Sequence, residues 1–465
     1  MSLKIYDTLT HEKRAFAPLQ AGKVSMYVCG PTVYAKAHVG HAMSSLVFDV
    51  VRRYLQYRGY EVTHIMNYTD VDDKVIRRAN ELGMAPTDLA ERYIREYDHH
   101  LRDLGILPAH ANPRVSREME QILHVVKGLI EKDLAYELDG DVYFRVSRGK
   151  DYGKLSGRAR EDMRAGARLE VDERKEDPGD FALWKATKPG EPAWESPWGN
   201  GRPGWHIECS AMCLRHLGEQ IDIHGGGNDL VFPHHENEIA QSEGLTGKPF
   251  ASFWIHNGMM RMGGEDMAKS TGNVFTIEAF LDHHEADALR LLVLGSHYRS
   301  PLTFTGDVIS QAERGLERLR GALRPARPST RAPLEIAKAL RNKDVQARSD
   351  FESAMDDDFN APMALGHIYE LVRAINQARE AGVSSDTLEE AQATLRVLAG
   401  VLGLRLDVEE GEKRDIGPLI DLLIEVRSRL RQEKQWVMSD LIRDRLSELG
   451  ISLEDSPYGT TWRSR

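Results

Sequence analysis

The chain has 465 residues, 41% of them hydrophobic, so it is too long for one ordinary domain and can bury a sizeable core. Its net charge of −11 argues against bulk nucleic-acid binding, so any RNA partner must be held by local patches and shape. Three cysteines exclude a disulfide framework, and no apolar run reaches the ~20 residues of a membrane span. Because the N-terminus lacks a signal-peptide core, we expect a cytoplasmic protein.

The first predicted elements form a strand–helix–strand unit. Residues 24–30 read as a buried strand that ends at Gly30 and Pro31, and residues 38–57 carry apolar side chains at helical spacing. Residues 61–67 read as the next strand. This order predicts a βαβ unit and a parallel sheet, hence an α/β front half.

The rear half has a helical pattern. Residues 322–333 read as a linker, and residues 335–404 are almost purely helical in pattern. A charged stretch, 407–415, precedes two predicted helices at about 417–435 and 437–449. The two linker-like stretches suggest rear units that fold separately from the front half.

The first chemical motif is His38-Val-Gly-His41, at the start of the first predicted helix. Its two imidazoles share one helical face, and the N–H groups and dipole of a helix N-terminus attract phosphate. Gly40 lets a nucleotide approach the backbone closely. The histidines are therefore candidate donors to a phosphorus transition state, although two ordinary histidines at a helix start would look the same.

A second motif, Asp266-Met-Ala-Lys-Ser270, lies in a stretch rich in Gly, Ser and Thr. Lys269 is a candidate for neutralising a leaving pyrophosphate, against the simpler alternative of a solvated loop lysine. The sequence contains neither a G-x-x-x-x-G-K-[ST] loop nor a G-x-G-x-x-G turn that would compete for the nucleotide.

Several residues have the chemistry of zinc ligands. Cys209 and Cys213 are one helical turn apart, His234 and Glu238 share a helical face, and Cys29 ends the first strand. The spacing alone does not decide which set closes a site, and buried structural cysteines with a capping histidine remain the alternative.

The segment His224-Gly-Gly-Gly-Asn-Asp229 is a further candidate for binding a ligand. Three glycines let the backbone pass close to a bound molecule, and Asp229 can accept hydrogen bonds from a ribose or an amine. A tight turn is the equal alternative.

Together these motifs resemble the class I aminoacyl-tRNA synthetases, which carry an H-I-G-H motif and a later K-M-S-K-S loop. Over essentially its full length the chain is similar to the cysteinyl-tRNA synthetase family. The most specific stretches of the resemblance are 202–212 and 222–238. Residues 285–290 and the helices after the linker resemble the family's stem-contact domain, and residues 450–462 resemble its anticodon-binding tail.

The resemblance implies a Rossmann-like parallel-sheet catalytic domain with an inserted subdomain, followed by an all-helical C-terminal half. The implied domains are the first catalytic half, an inserted acceptor-end subdomain, the second catalytic half, a stem-contact domain and an anticodon-binding domain, at 1–113, 114–200, 201–321, 335–404 and 410–465.

The implied activity is ATP-dependent conversion of L-cysteine to Cys-AMP, followed by transfer to the 3′ end of tRNA(Cys). The family pattern implies one Zn²⁺ per chain, which selects the substrate thiolate and is held by Cys29, Cys209, His234 and Glu238. Cys213 falls outside that pattern. Mg²⁺ is expected with ATP, and we expect a monomer with no membrane partner.

The resemblance also assigns the remaining site residues. The implied catalytic residues are His38, His41 and Lys269. The implied ATP site comprises His38, Gly40, His41, Asp229, Lys269 and Ser270. The implied amino-acid pocket comprises Cys29, Thr69, Trp205 and His224. For the anticodon, the candidates are Arg431, Asp440, Asp455 and Trp462.

One departure from the family pattern concerns the second motif. Asp266 and Ala268 stand where the family has Lys and Ser, so Lys269 must do alone what two lysines usually share. An inactive paralogue serving as an RNA-binding module would tolerate this change, but the intact His38 and His41 argue against it. A ligase of the same fold that joins cysteine to an amino sugar would lack the anticodon-binding tail.

Overall fold

A parallel β-sheet organises the front of the molecule. The computed structural model describes residues 2–158, 174–262, 265–266, 274–326, 334–406, 417–456 and 459–464. Within these residues the sheet has the strand order β10-β9-β3-β4. Its members are β3 (Lys23–Val28), β4 (Glu61–Met66), β9 (Ile221–Gly227) and β10 (Ala251–Asn257).

The predicted βαβ unit is confirmed. Helix α1 (Val39–Tyr57) connects β3 to β4, which pair in parallel. The apolar positions that predicted the helix, such as Val47 and Val51, are buried against the sheet. The helix begins one residue later than predicted because His38 has extended backbone geometry and forms its N-cap.

An N-terminal hairpin precedes the parallel sheet in the chain. Three helices and the strands of a second β-sheet follow β4. These elements are β1 (Lys4–Asp7), β2 (Glu12–Ala15), α2 (Asp73–Leu82), α3 (Pro86–Asp103), α4 (Met119–Glu131), β5 (Ala135–Leu138), β6 (Asp141–Phe144), β7 (Phe181–Ala186) and β8 (Gly201–Pro203).

The second sheet is antiparallel and interrupts the parallel one in the chain. In the described part of the insertion its order is β5-β6-β7-β8. Its last strand ends at Pro203, three residues beyond the predicted boundary at 200. Gly201 is required there because a Cβ atom would lie 2.3 Å from the indole nitrogen of Trp184.

The remaining strands and helices of the front half lie between residues 205 and 322. They are α5 (Trp205–Leu217), α6 (Glu236–Thr246), β11 (Met260–Met262), β12 (Glu265–Asp266), α7 (Ile277–Leu281), α8 (Ala286–Leu294), β13 (Leu302–Thr303) and α9 (Gly306–Ala322). Strand β11 pairs with both β12 and β13.

The helical region predicted for residues 335–404 is present as α10 (Leu334–Asp356), α11 (Ala361–Glu380) and α12 (Ser385–Val401). It does not form a separate body, however, because the chain divides into the units Met1–Leu406 and Asp407–Arg465. Phe351 of α10 packs in the same hydrophobic core as Phe48 of α1. Of the predicted linker, residues 327–333 lie outside the described residues.

The second unit contains the two predicted tail helices, α13 (Gly417–Gln432) and α14 (Trp436–Glu448), and a terminal hairpin of β14 (Ile451–Ser456) and β15 (Gly459–Ser464). Its small core joins Ile420, Leu446 and Ile451, with Trp462 packed against them. Across the described residues, no helix has both the length and the apolar character needed to cross a bilayer.

Candidate functional site

The candidate site is a cavity of about 710 Å³ at the carboxyl edge of the parallel sheet. This is the edge at which open α/β sheets bind ligands, because the loops that leave the strands converge there. Predicted site residues from several segments line it together: Cys29, His38, Gly40, His41, Thr69, Trp205, Cys209, Asp229 and His234.

Four potential metal ligands converge at the floor of this cavity. The ligand atoms of Cys29, Cys209, His234 and Glu238 all lie within 4.8 Å of one another. Cys29 Sγ is 3.6 Å from both Cys209 Sγ and His234 Nε2, and 3.4 Å from Glu238 Oε1. A tetrahedral zinc site with Zn–N, Zn–O and Zn–S bonds of ordinary length places its ligand atoms roughly 3.3–3.8 Å apart. The spacing therefore fits a zinc ion.

The protonation states support the same conclusion. Burial raises the pKa of the Cys29 thiol well above its usual value, so a thiolate there requires a compensating positive charge. Burial lowers the pKa of His234 to about 3, which keeps the imidazole in the neutral form that binds metals.

A second set, Cys29, His224, His235 and Glu238, also brings its ligand atoms together. Cys209 and His234 line the cavity, whereas His224 and His235 are fully buried behind Glu238. We therefore favour the first set, because an ion held by it would face the cavity.

A ring of buried partners orients these side chains. His206 Nδ1 lies 3.0 Å from His234 Nδ1, which leaves His234 Nε2 directed at the ligand cluster. His224 Nε2 lies 2.9 Å from Glu238 Oε2, so this residue sits behind the carboxylate although the sequence placed it in the amino-acid pocket. Such partners fix ligand orientation. His206 was not predicted from the sequence as a site residue, although it lies inside the specific stretch 202–212.

The wall beside the metal cluster is aromatic. The Trp205 ring stacks on His234, with centroids 4.3 Å apart and an interplanar angle of 22°. Thr69 is buried three residues after β4, and its hydroxyl accepts a hydrogen bond from Asn67 Nδ2 at 3.3 Å. A small side chain entering the cavity would therefore meet the indole, the hydroxyl and the ligand cluster together.

The opposite end of the cavity is the N-terminus of α1. The His38 and His41 rings stack with centroids 3.8 Å apart, and His41 Nδ1 accepts a hydrogen bond from the His38 backbone N–H. A Cβ at Gly40 would lie 2.9 Å from His38 Nδ1, so a glycine at this position leaves room for the His38 ring. This end offers N–H donors and a favourable dipole to a phosphate.

Tyr97 of α3 also lines this end of the cavity and was not predicted from the sequence. Its hydroxyl lies 2.8 Å from Ser45 Oγ, one turn after His41, and its ring is nearly perpendicular to the His41 imidazole, with an interplanar angle of 77°. A tyrosine in an amphipathic helix gives no sequence signal of such a position.

Part of the nucleotide loop is not described. Asp266 lies in β12, whereas Ala268, Lys269 and Ser270 fall outside the described residues. The described strand that leads into the loop, β11, begins at Met260, which lines the cavity together with Asn257, Gly258 and Met259.

A larger groove of about 1450 Å³ lies between the second sheet and α2. Trp205 lines both this groove and the smaller cavity. The groove is lined by cationic side chains, which are Arg77, Arg158, Arg174, Lys175, Lys185, Lys188 and Arg202. It is lined equally by carboxylates, which are Asp72, Asp73, Asp141, Asp177, Asp180, Glu191 and Glu208.

The predicted anticodon residues lie in the second unit. Arg431 and Asp440 are exposed on α13 and α14, and Asp440 lies 3.6 Å from Arg443. Trp462 is half-buried and its indole N–H donates to Asp421 at 3.2 Å. Asp455 lies in β14, and its side chain is outside the described part of the chain.

Comparison with known families agrees with this fold. Residues 15–314 match the model of the class I (C) tRNA synthetase catalytic domain, and residues 350–407 match the DALR domain. Two solved structures, the methionyl-tRNA synthetase of Mycobacterium tuberculosis with methionyl-adenylate and the leucyl enzyme (LeuRS) of Agrobacterium radiobacter K84 with tRNA, share the fold. They align with TM-scores of 0.58 and 0.59 at 15% and 12% identity, covering 86% and 84% of this chain and 94% and 85% of theirs. The catalytic region is that of a class I tRNA synthetase.

Full-length relatives identify the family within that class. A cysteine--tRNA ligase of Desulfitobacterium hafniense is 50% identical, and one of Dehalococcoides mccartyi is 52% identical. Each alignment covers 99% of this chain and 99% of the relative. The chain belongs to the cysteine--tRNA ligase family, as the sequence resemblance predicted.

Proposed function

We propose that this protein activates L-cysteine with ATP to form Cys-AMP and transfers the cysteinyl group to the 3′ end of tRNA(Cys). The observation that carries the proposal is that one cavity joins two kinds of chemistry. A thiol–imidazole–carboxylate cluster forms its floor, and paired histidines at a helix N-terminus form its far end. The first suits a thiol substrate and the second a phosphate.

Cysteine selection is assigned to the floor of the cavity. Cys29, Cys209, His234 and Glu238 would hold Zn²⁺, which supplies a Lewis acid that lowers the pKa of a coordinated thiol. Serine differs from cysteine by one atom, and apolar fit alone separates such analogues by only ~1–3 kcal/mol. A thiol-selective floor can exceed that, so selection needs no second, editing site.

Adenylate formation is assigned to the far end. The carboxylate of cysteine attacks the α-phosphorus of ATP, the bond to the β-phosphate oxygen breaks, and pyrophosphate leaves. His38 and His41 donate hydrogen bonds to the phosphoryl oxygens as charge builds on them. Lys269 neutralises the pyrophosphate, Gly40 and Ser270 admit and bind the nucleotide, Asp229 accepts from its ribose, and Mg²⁺ accompanies ATP.

Transfer to RNA is assigned to the larger groove and to the second unit. Single-stranded RNA is held by cationic side chains along its backbone, and Arg77, Arg158 and Lys188 are exposed in the groove for such contacts. Lys185 and Arg202 are instead paired with Asp73. Trp205 lines both spaces, so a strand in the groove would bring its 3′ end beside the adenylate. Arg431, Asp440, Asp455 and Trp462 are the candidates for reading the anticodon.

The test is ATP–pyrophosphate exchange with cysteine and with serine, followed by charging of tRNA(Cys). We expect exchange that depends on cysteine, that exceeds the serine reaction by far more than ~100-fold, and that is lost in His41→Ala. Cysteine-dependent exchange without charging of tRNA would contradict the proposed acceptor. Equal exchange with serine would contradict the role of the metal site.

A further inference from the structure

The turn between α10 and α11 has an unusual buried carboxylate. Asp358 is fully buried and, with Phe359, adopts a left-handed backbone, at φ values of 63° and 51°. A bulky side chain such as phenylalanine rarely adopts this conformation, and it persists only where surrounding contacts hold it. The turn lies within the region that matches the DALR domain.

The contacts of Asp358 come from two distant segments. Its Oδ1 accepts hydrogen bonds from the Tyr6 backbone N–H at 2.9 Å and from the Tyr298 hydroxyl at 2.8 Å. Its Oδ2 accepts from Arg299 Nε at 2.8 Å, and His297 Nε2 lies 3.6 Å away. Because the carboxylate is buried, these charge-assisted contacts are stronger than exposed ones.

The segment that Asp358 holds in turn contacts the cavity-lining residues that lead into β11, a strand in contact with α1. The Tyr298 carbonyl accepts a hydrogen bond from Gly258 N–H at 2.8 Å, and the Met259 carbonyl accepts one from Leu302 N–H at 3.0 Å. The contact is close, since a Cβ at Gly258 would lie 2.3 Å from the Ser300 carbonyl oxygen.

Gly258 and Met259 line the cavity and lead directly into β11. The chain after β11 carries Lys269. A continuous series of short contacts therefore runs from the helical region to the nucleotide end of the cavity. The four metal ligands belong to other segments: Cys29 follows β3, Cys209 lies in α5, and His234 and Glu238 lie just before and within α6.

We propose that Asp358 is a positioning residue for the ATP side of the site, acting through Tyr298 and Arg299 on Gly258 and Met259. The inference rests on the proposed function. Its basis is that the two oxygens of one buried carboxylate fix Tyr298 and Arg299, and that this segment holds the cavity-lining Gly258 and Met259, so the helical region sets the geometry of ATP binding.

The test compares Asp358→Asn with Asp357→Asn. An asparagine at 358 must turn its amide nitrogen toward either the Tyr6 backbone N–H or Arg299 Nε, placing donor against donor, and it removes the buried charge. The neighbouring Asp357 makes an exposed ion pair with Lys13 at 2.7 Å and is the matched control. We expect Asp358→Asn to raise the KM for ATP in exchange about tenfold and to leave the KM for cysteine and the zinc content within about twofold. Asp357→Asn should match wild type.

A second variant separates positioning from loss of folding. Tyr298→Phe removes one donor and keeps the Arg299 contact, so its KM for ATP should rise by a smaller factor, with a melting temperature close to that of wild type. Wild-type KM for ATP in Asp358→Asn, or an equal rise for cysteine and ATP, would overturn the inference.

The affinity for ATP, measured by calorimetry without cysteine, compares wild type with Asp358→Asn independently of the exchange reaction. A wild type that binds ATP but shows no cysteine-dependent exchange would count against the proposed function. Equal ATP affinity in wild type and Asp358→Asn would count against the inference.

Discussion

At the scale of single residues, the two buried cysteines of α5 differ in the turn of the helix that they occupy. Cys209 and Cys213 lie on one helix, both are at most 2% exposed, and burial raises the pKa of the Cys213 thiol well above its usual value. Both pack in the same hydrophobic core, but only Cys209 of the two also belongs to the ligand cluster. They share one helical face and lie one turn apart, so position along the helix, rather than burial, separates the metal ligand from the core residue.

This difference predicts opposite outcomes for two matched substitutions. Cys209→Ala should remove most of the bound zinc and raise the KM for cysteine by at least ~100-fold, because a ligand is worth more than the orienting partners whose loss costs ~10- to 100-fold. Cys213→Ala should keep its zinc. Metal analysis of both purified proteins, with exchange kinetics, checks this, and a full zinc content in Cys209→Ala would refute the proposed ligand set.

A second residue-scale prediction concerns the nucleotide loop. Loss of one preorganised donor costs ~3–4 kcal/mol of transition-state stabilisation, so Lys269→Ala should slow exchange ~100- to 1000-fold. A negative charge at 266 disfavours binding of the same phosphates, but water and salt screen repulsion between solvated charges to ~1 kcal/mol or less. Asp266→Lys should therefore lower the KM for ATP a few-fold, most clearly at low salt. If Asp266→Lys abolished exchange, Asp266 would have a specific role and this account would be wrong.

At the scale of elements, the close approach of two strand ends shapes the metal site. Gly30 follows Cys29, its N–H donates to Asn67 Oδ1 at 2.9 Å, and a Cβ there would lie 1.7 Å from the Asn67 carbonyl oxygen. The contact is backbone against backbone, so no side-chain movement can relieve it. The ends of β3 and β4 must separate if a larger residue is placed here.

Gly30→Ala should therefore destabilise the protein and displace Cys29. We expect a loss of ~1–3 kcal/mol in the free energy of unfolding, with reduced zinc content. Gly366→Ala is the control, because this glycine of α11 has open space around its Cβ position and alanine favours a helix by up to ~1 kcal/mol. Denaturant unfolding of the two variants checks the contrast; equal stabilities would mean that the strand ends tolerate separation.

At the scale of the whole molecule, the boundary that matters lies near residue 406. The first unit includes the parallel sheet, the inserted sheet and the helical region. Arg290 is fully buried and pairs with Asp49 of α1 at 2.6 Å, and it donates to the Leu402 carbonyl, so the end of the helical region is fixed to the sheet layer. A cut that spares this unit must come after Leu406.

Truncation after Leu406 should spare cysteine activation and impair charging. Exchange should remain within about twofold of wild type, because the cavity lies wholly in the first unit. Since stacking is worth ~1–3 kcal/mol per base, loss of an anticodon reader should lower kcat/KM for tRNA at least ~100-fold. A truncated protein that folds and charges tRNA at the full rate would show that the tail does not read the anticodon.

The predicted monomeric state stays a prediction.

The sequence by itself was enough to establish the family, the α/β fold class and the helical rear half. These follow from features that are local in the chain: the period of apolar residues in α1, the buried strands around it and the long specific stretches at 202–212 and 222–238. Local periodicity and motifs are written in consecutive residues, so no tertiary information is needed to recognise them.

Tertiary structure decided which residues meet. It placed His224 behind Glu238, brought His206 to His234 and Tyr97 to Ser45, and joined the helical region to the first unit in spite of a linker-like sequence. It also connected Asp358 to Tyr298, which are 60 residues apart in the chain. Such contacts depend on how separate elements pack, and the type of a buried residue does not specify which neighbour its side chain contacts.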